Sequence, residues 1–176
     1  VILEAREIGL RRRFEQIIAE VTQTRDQMIR VRADARGETI RAETPEERSA
    51  RLKAEKNMTP EEKEKKRNES LSIQTLRIQQ ATQDCAKAEQ EILGVGVQFA
   101  DIREELINNR VDSKDRQKRI KEKISDPLLA LAKTDYPKLN KHLAEIEKQV
   151  GSDQFAGGVD ESITQLDSAL TKMNNI

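Results

Sequence analysis

Apolar residues recur every seven positions between residues 71 and 106, and this pattern predicts a long helix. One column of the repeat holds Leu71, Ile78, Cys85, Ile92, Phe99 and Leu106. A second column, three residues later, holds Gln74, Ala81, Ala88, Val95 and Ile102. An average apolar spacing of 3.5 residues keeps one narrow stripe directed at a partner helix. We therefore predict that this segment pairs with another helix through knobs-into-holes packing.

A first long helix is predicted over residues 1–35, because the same spacing occurs there. Its stripe contains Leu3, Leu10, Phe14, Ile17, Val21, Met28, Val31 and Ala35, and it is widened by Ile8, Ile18 and Ile29. A wider apolar face is typical of a helix with more than one neighbour. The basic cluster at residues 11–13 is interpreted as an exposed turn paired with Glu7 and Glu15. The alternative is a site for an anion or a phosphate.

Residues 36–59 are predicted to form an exposed linker with a short helix. The periodicity fails near Gly37, which is a plausible helix stop. Thr-Pro-Glu-Glu occurs twice, at residues 44–47 and 59–62. In each copy the threonine can cap a helix, the proline suits its first position, and the acidic residues favour the positive end of the helix dipole. Few residues between the two copies are suited to burial.

The central heptad helix is predicted over residues 60–110. Gly94 and Gly96 lie within it and cost roughly 1 kcal/mol each relative to alanine. We interpret them either as a hinge or close helix approach, or as small residues tolerated in packing. The segment Gly94-Val95-Gly96 is neither followed by a lysine nor preceded by a strand, as a phosphate-binding loop would be.

A return helix is predicted over residues 111–150, followed by a loop and a C-terminal helix over 151–176. Asp112 or Ser113 can cap the return helix. Pro127 predicts a kink or restart and Pro137 a second break, because proline removes a helical hydrogen bond. Phe155 is expected to close the end of the bundle. The last helix is expected to begin at Asp160.

The charge balance restricts the class of partner. Lys+Arg and Asp+Glu number 32 each, so the formal net charge is zero, and 36% of residues are charged against 2% aromatic. This is the composition of long exposed helices, and it lacks the basic excess of nucleic-acid-binding or lipid-binding proteins. No stretch approaches the roughly 18 apolar residues of a membrane span. Because the chain opens at Val1 within a helical pattern, we expect a fragment of a longer protein, organised as one domain.

Candidate chemistry is sparse. The single histidine, His142, has apolar neighbours on a helix and is interpreted as a surface or seam-edge residue rather than a catalytic base. Cys85 lies in the apolar column, where burial would make it inert; an interchain disulfide and a nucleophile are the alternatives. Zinc, calcium, di-iron and nucleotide motifs are absent. We therefore expect no catalytic, metal-binding or cofactor-binding residues.

Three stretches carry a resemblance to a class of proteins. They are residues 3–17 (LEAREIGLRRRFEQI), 99–110 (FADIREELINNR) and 124–128 (ISDPL). They resemble helical regions of large, uncharacterised, membrane-anchored bacterial envelope proteins, in which such a region follows a membrane anchor and an all-β domain. The resemblance omits residues 36–70 and brings no catalytic residues. It implies an extracytoplasmic, structural role.

Together these features predict an all-α, elongated antiparallel coiled coil or bundle of long helices. The expected function is a non-enzymatic scaffold that binds protein partners, including copies of itself, but no nucleic acid and no small-molecule substrate. Its interaction seam would consist of Leu10, Phe14, Ile17 and Val21 together with Leu71, Ile78, Cys85, Ile92, Phe99 and Leu106. The alternative is a helical-bundle sensor or signal-transmitting module of a membrane-anchored protein. Gly94, Gly96 and Pro127 would then form its hinge.

Overall fold

The computed structural model describes residues 2–38, 43–110 and 114–176, and these residues confirm the all-α fold class. The helices are α1 (Ile2–Arg36), α2 (Pro45–Lys56), α3 (Pro60–Asn108), α4 (Lys114–Ile120), α5 (Asp126–Ala130), α6 (Tyr136–Glu147) and α7 (Phe155–Asn174). Two π-helical turns, Lys121–Ser125 and Leu131–Asp135, join α4 to α5 and α5 to α6. We call residues 114–147 the return helix.

Helix boundaries follow local backbone chemistry. Gly37, with φ of 66°, follows the last residue of α1, and the amide of Glu38 donates to the carbonyl of Ala33 over 2.9 Å. This bond and the left-handed glycine terminate the helix. Thr44 and Thr59 each complete a capping box at the start of α2 and α3. The predicted caps Asp112 and Ser113 lie outside the described residues.

The return helix is continuous through the two prolines, which corrects the restart considered at Pro127 and the break expected at Pro137. The amide of Asp126 donates to the carbonyl of Lys121, and that of Tyr136 donates to the carbonyl of Leu131. Each bond spans five residues, so the helix widens for one turn before the proline that follows. A wider turn moves the preceding carbonyl away from the proline ring, whose missing N–H leaves no donor to satisfy. The helix therefore continues past Pro127 and Pro137 without a restart.

Four long segments form a bundle: α1, α3, the return helix and α7. Both α1 and the return helix lie beside α3 and beside α7. Ion pairs show the direction of α1 relative to α3: Arg6 Nη1 lies 2.6 Å from Glu105 Oε1, and Lys87 Nζ lies 2.9 Å from Glu20 Oε2. At the opposite end of α1, Asp34 pairs with Arg77. As the residue numbers of the paired side chains rise along α1, those of their partners on α3 fall, so the two helices run in opposite directions.

The C-terminal helix is the fourth member of the bundle. It begins at Phe155, five residues before the predicted Asp160, and Phe155 is buried at the end of the bundle. Lys172 Nζ lies 2.9 Å from Asp135 Oδ1, and Arg25 Nη1 lies 3.2 Å from Asp167 Oδ1. Because α7 contacts both α1 and the return helix, it closes the bundle along much of its length.

Candidate functional site

The predicted interaction seam lies in the interior of the chain. Its buried members are Leu10, Phe14, Ile17, Val21, Ile78, Cys85, Ile92, Phe99 and Leu106. Leu71 is half-buried, and a Cβ on Gly151 would stand 3.4 Å from its methyl carbons. The neighbours of α3 are α1 and the return helix of the same chain. These residues therefore assemble the core, and a surface for another molecule has to be sought elsewhere.

Two of the three predicted hinge residues lie on facing helices. A Cβ on Gly96 would stand 3.2 Å from Leu128 Cβ and 3.2 Å from Leu129 Cδ2, and Pro127 directly precedes these leucines. Ser125 Oγ also donates to the carbonyl oxygen of Gly96 over 3.2 Å. Gly94 has no such neighbour, since a Cβ there would meet nothing within 4 Å. Gly96 thus serves a close helix approach, while Gly94 lies apart from it.

Cys85 lies in a buried environment beside α6. Burial raises the pKa of its thiol to about 12, with a smaller contribution from the neighbouring Asp84 carboxylate. The phenol of Tyr136 is also buried, which raises its pKa, and its hydroxyl donates to Met173 Sδ over 3.5 Å. A thiol with a raised pKa holds almost no thiolate at neutral pH, so it is a poor nucleophile.

His142 lies at the contact between α6 and α7. Its Nε2 donates to the carbonyl oxygen of Gly158 over 2.9 Å, and Ser162 Oγ donates to the same carbonyl over 3.1 Å. Gly158 also allows the two helices to approach, because a Cβ there would stand 2.5 Å from Ile146 Cγ2. The sequence-based prediction placed Gly158 in a loop. The sequence feature that could have indicated a close helix contact is the Gly157-Gly158 pair at the start of an amphipathic stretch.

Charged residues at the bundle surface form pairs that the sequence-based interpretation missed. Arg32 Nη1 lies 2.7 Å from Asp160 Oδ1, and Arg36 pairs with the other oxygen of that carboxylate. The hydrogen bond from Arg32, together with the charge of Arg36, lowers the pKa of Asp160. Glu7 pairs with Arg116 over 2.9 Å, rather than with the basic cluster at residues 11–13. The three arginines of that cluster are exposed.

Residues 45–73, which we call the arm, present a different surface. Asp34 near the end of α1 lies beside Arg77, so the first turns of α3 extend past α1. No residue of α2 is buried, and residues 61–69 are all exposed. A groove of about 540 Å³ between α2 and α3 is lined by Leu52, Glu55, Lys56, Met58, Lys63, Lys66, Arg67 and Ser70. Its lining carries four basic residues against one acidic residue.

The opposite side of the same turns of α3 carries the reverse charge. A depression of about 710 Å³ is lined there by Glu61, Glu64, Lys65, Asn68, Glu69, Ser72 and Ile73. Three acidic residues face one basic residue. Ile73 and nearby Leu76 are 48% and 64% exposed. The arm therefore presents a basic groove and an acidic face about half a helical turn apart.

Within the described residues, no group of three or more histidine, cysteine, aspartate or glutamate side chains is placed to hold a metal ion. Among the described helices, none combines the length and the apolar character that crossing a membrane requires. Comparisons with protein-family models, curated proteins and solved structures gave no match to this chain.

Proposed function

We propose that the chain is a non-enzymatic scaffold whose copies associate through the arm. The observation that carries this proposal is the opposite charge of the two sides of α3 at residues 61–73. The basic groove of one copy suits the acidic face of the next, and opposite charges steer and orient such contacts. Because the two surfaces lie on opposite sides of one helix, the contact is head-to-tail and can repeat along a row of molecules.

The apolar residues of the arm supply a further contribution. Leu52 and Met58 line the groove, and Ile73 lines the acidic face, so apolar side chains meet when the surfaces dock. Burying apolar area stabilises association by about 25 cal/mol per Å² before the costs of association. A formal net charge of zero also removes the long-range repulsion between copies that opposes association.

An elongated, antiparallel, coiled-coil-like body suits this role. The accessible surface is 11491 Å², whereas a compact monomer of 20.1 kDa is expected to expose about 8,700 Å². The excess favours an extended molecule that holds the arm away from the far end of the bundle. The resemblance to envelope proteins favours an extracytoplasmic location for such a spacer.

The test is a charge exchange followed by sedimentation velocity over a concentration series. One variant carries Lys63→Glu and Arg67→Glu, which makes both surfaces of the arm acidic. The other carries Glu64→Lys and Glu69→Lys, which makes both surfaces basic. We expect each variant alone to sediment as a monomer, while an equimolar mixture regains the concentration-dependent mass of the unchanged chain.

Val97→Ser is the matched control, because Val97 is 45% exposed but lies in the bundle rather than the arm. It should associate like the unchanged chain. Added salt should weaken association, since the charges concerned are exposed. An unchanged chain that stays monomeric at every concentration, or two charge variants that associate as it does, would refute association through the arm.

A second candidate function is a helical-bundle sensor, in which a ligand alters the contact between α3 and the return helix. The observation that favours it is the juxtaposition of Gly96 with Ser125 and Leu128, next to the first π-helical turn. π-helical turns occur often at functional sites, although Pro127 already explains this one. A ligand-dependent change in the contact would support this candidate.

A further inference from the structure

A cavity of about 270 Å³ lies beside the contact between Gly96 and Leu128, where the end of α7 meets the middle of α1. Its apolar lining comes from every long segment of the bundle: Phe14, Ile18, Phe99, Ile124, Leu128, Met173 and Ile176. The polar lining consists of Arg11, Glu15 and Asn174. The cavity is therefore apolar inside and charged where α1 borders it.

The arrangement of the helices explains the position of the cavity. Arg25 and Arg32 of α1 pair with Asp167 and Asp160 of α7, so α7 lies beside the second half of α1. Nearer the start of α1 the neighbour is the return helix, since Arg116 pairs there with Glu7. The bundle thus changes from four helices to three near Phe14. Where the fourth helix ends, a space remains between the other three. The side chains of Ile18 and Ile124 border this space.

We propose that this cavity binds a small amphipathic carboxylate, with its apolar part among the two phenylalanine rings and its carboxylate beside Arg11. Both rings, Phe14 and Phe99, are buried, whereas Arg11 is exposed. Ligand sites between bundle helices have this composition, with an apolar lining and a few polar groups that orient the ligand. The proposal is independent of association through the arm.

Charge and volume determine the class of ligand. The charged residues of the lining are Arg11 and Glu15; Arg11 attracts an anion, and the like charge of Glu15 directs a carboxylate to the Arg11 side. A guanidinium also binds carboxylates through paired N–H groups. A volume of 270 Å³ accommodates about nine non-hydrogen atoms at about 30 Å³ each. About eight carbons of a straight-chain carboxylate fit this volume when its two oxygens lie at the opening beside Arg11.

Octanoate is therefore the probe, titrated against the full chain with selectively methyl-labelled isoleucine, leucine and methionine. We expect saturable chemical-shift changes at Ile18, Ile124, Leu128 and Met173. Methyl groups remote from the cavity, such as those of Leu52, should not respond. Octanol, which has the same chain without the charge, should bind about three- to fivefold more weakly, the loss typical of an exposed ion pair.

The first variant is Arg11→Gln, matched by Arg12→Gln, since Arg12 is also exposed but does not line the cavity. Arg11→Gln should weaken octanoate binding about three- to fivefold and leave octanol binding unchanged, whereas Arg12→Gln should alter both very little. Ile18→Trp should abolish binding of both probes by filling the cavity. The melting temperature of Ile18→Trp shows whether the bundle is intact, and Ile18→Phe is a smaller substitution at the same position.

The proposal is overturned if octanoate causes no saturable shift, or if the shifted methyl groups lie away from the cavity. It is also overturned if Arg11→Gln and Arg12→Gln weaken binding equally, because a general charge effect would then account for the affinity. Since the arm is unchanged in every variant, sedimentation of the same samples separates this outcome from failure of arm-mediated association.

Discussion

Gly96 lies so close to Leu128 that a Cβ on residue 96 would stand 3.2 Å from Leu128 Cβ. Leu128 Cβ is attached directly to the backbone and moves only with it. We predict that Gly96→Ala is less stable than Gly94→Ala by about 1 kcal/mol or more. Both substitutions gain the same helix propensity, of about 1 kcal/mol, but only residue 96 has close neighbours.

Urea unfolding of the two variants and the unchanged chain measures this difference. Gly94→Ala should raise the midpoint, because a Cβ there meets nothing within 4 Å. Equal stabilisation by both alanines would show that α3 and the return helix are not held at this distance in solution.

A second prediction concerns the contact between α6 and α7. A Cβ on Gly158 would stand 2.5 Å from Ile146 Cγ2, and Ile146 is buried. We expect Gly158→Ala to destabilise the chain by about 1–3 kcal/mol, as overpacking commonly does. Thermal unfolding followed by circular dichroism provides the measurement.

Gly157→Ala is the matched control, since a Cβ at residue 157 has no neighbour within 4 Å. Ile146→Leu removes the branched methyl group, so it should be tolerated better in the Gly158→Ala variant than in the unchanged chain. A Gly158→Ala variant as stable as Gly157→Ala would contradict the packing of α7 described above.

Stability should depend on pH through Asp160. Arg32 lowers the pKa of this carboxyl group, with Arg36 contributing. A lowered pKa in the folded state means that the unfolded chain binds the proton more readily. The stabilisation is therefore present above the unfolded pKa, of about 4, and is lost as pH falls through the folded pKa. Since the Asp160 side chain is 37% exposed, the effect should be below about 1 kcal/mol.

The measurement compares the unchanged chain with Asp160→Asn at neutral pH and at pH values below the carboxyl range. The variant should melt at a lower temperature at neutral pH, and the gap should close in acid. Asp153→Asn is the control, because Asp153 is exposed and lies before the start of α7. A gap that is constant across pH would exclude the ion pairs as its source.

The heptad spacing predicted which side chains of α3 are buried, because a repeat near the helical period marks one face whatever the partner is. It did not identify that partner, since α1, the return helix and α7 all carry compatible stripes. The π-helical turns escaped prediction because they depend on which carbonyl each amide selects near Pro127 and Pro137. The Glu7–Arg116 pair and the cavity at Ile124 depend on where helices end in space, and spacing along the chain does not encode that.

Cys85 provides a test of burial. Because burial raises the pKa of its thiol to about 12, we predict negligible labelling by an aromatic disulfide reagent at about pH 8. Labelling should occur at the rate of the reagent's reaction with a free thiol once urea unfolds the chain. The reaction is followed by the absorbance of the released thiolate.

A surface thiol supplies the comparison. Ser72 is exposed, so Ser72→Cys in a Cys85→Ala background should label rapidly without urea. Dimers of the unchanged chain linked by a disulfide, seen on non-reducing electrophoresis, would mean that Cys85 is accessible and that the core packs differently.

Helix α3 runs unbroken for 49 residues, so it acts as a lever about 73 Å long, at about 1.5 Å per residue. The Gly96 contact and the cavity lie toward one end of this lever, and the arm lies at the other. Lys63 is separated from Gly96 by about 50 Å of continuous helix. A tilt of about 5° at Gly96 would displace Lys63 by about 4 Å, enough to separate a charged pair. Small changes in packing beside Phe99 would thereby alter the position of the arm and, with it, the proposed contact between copies.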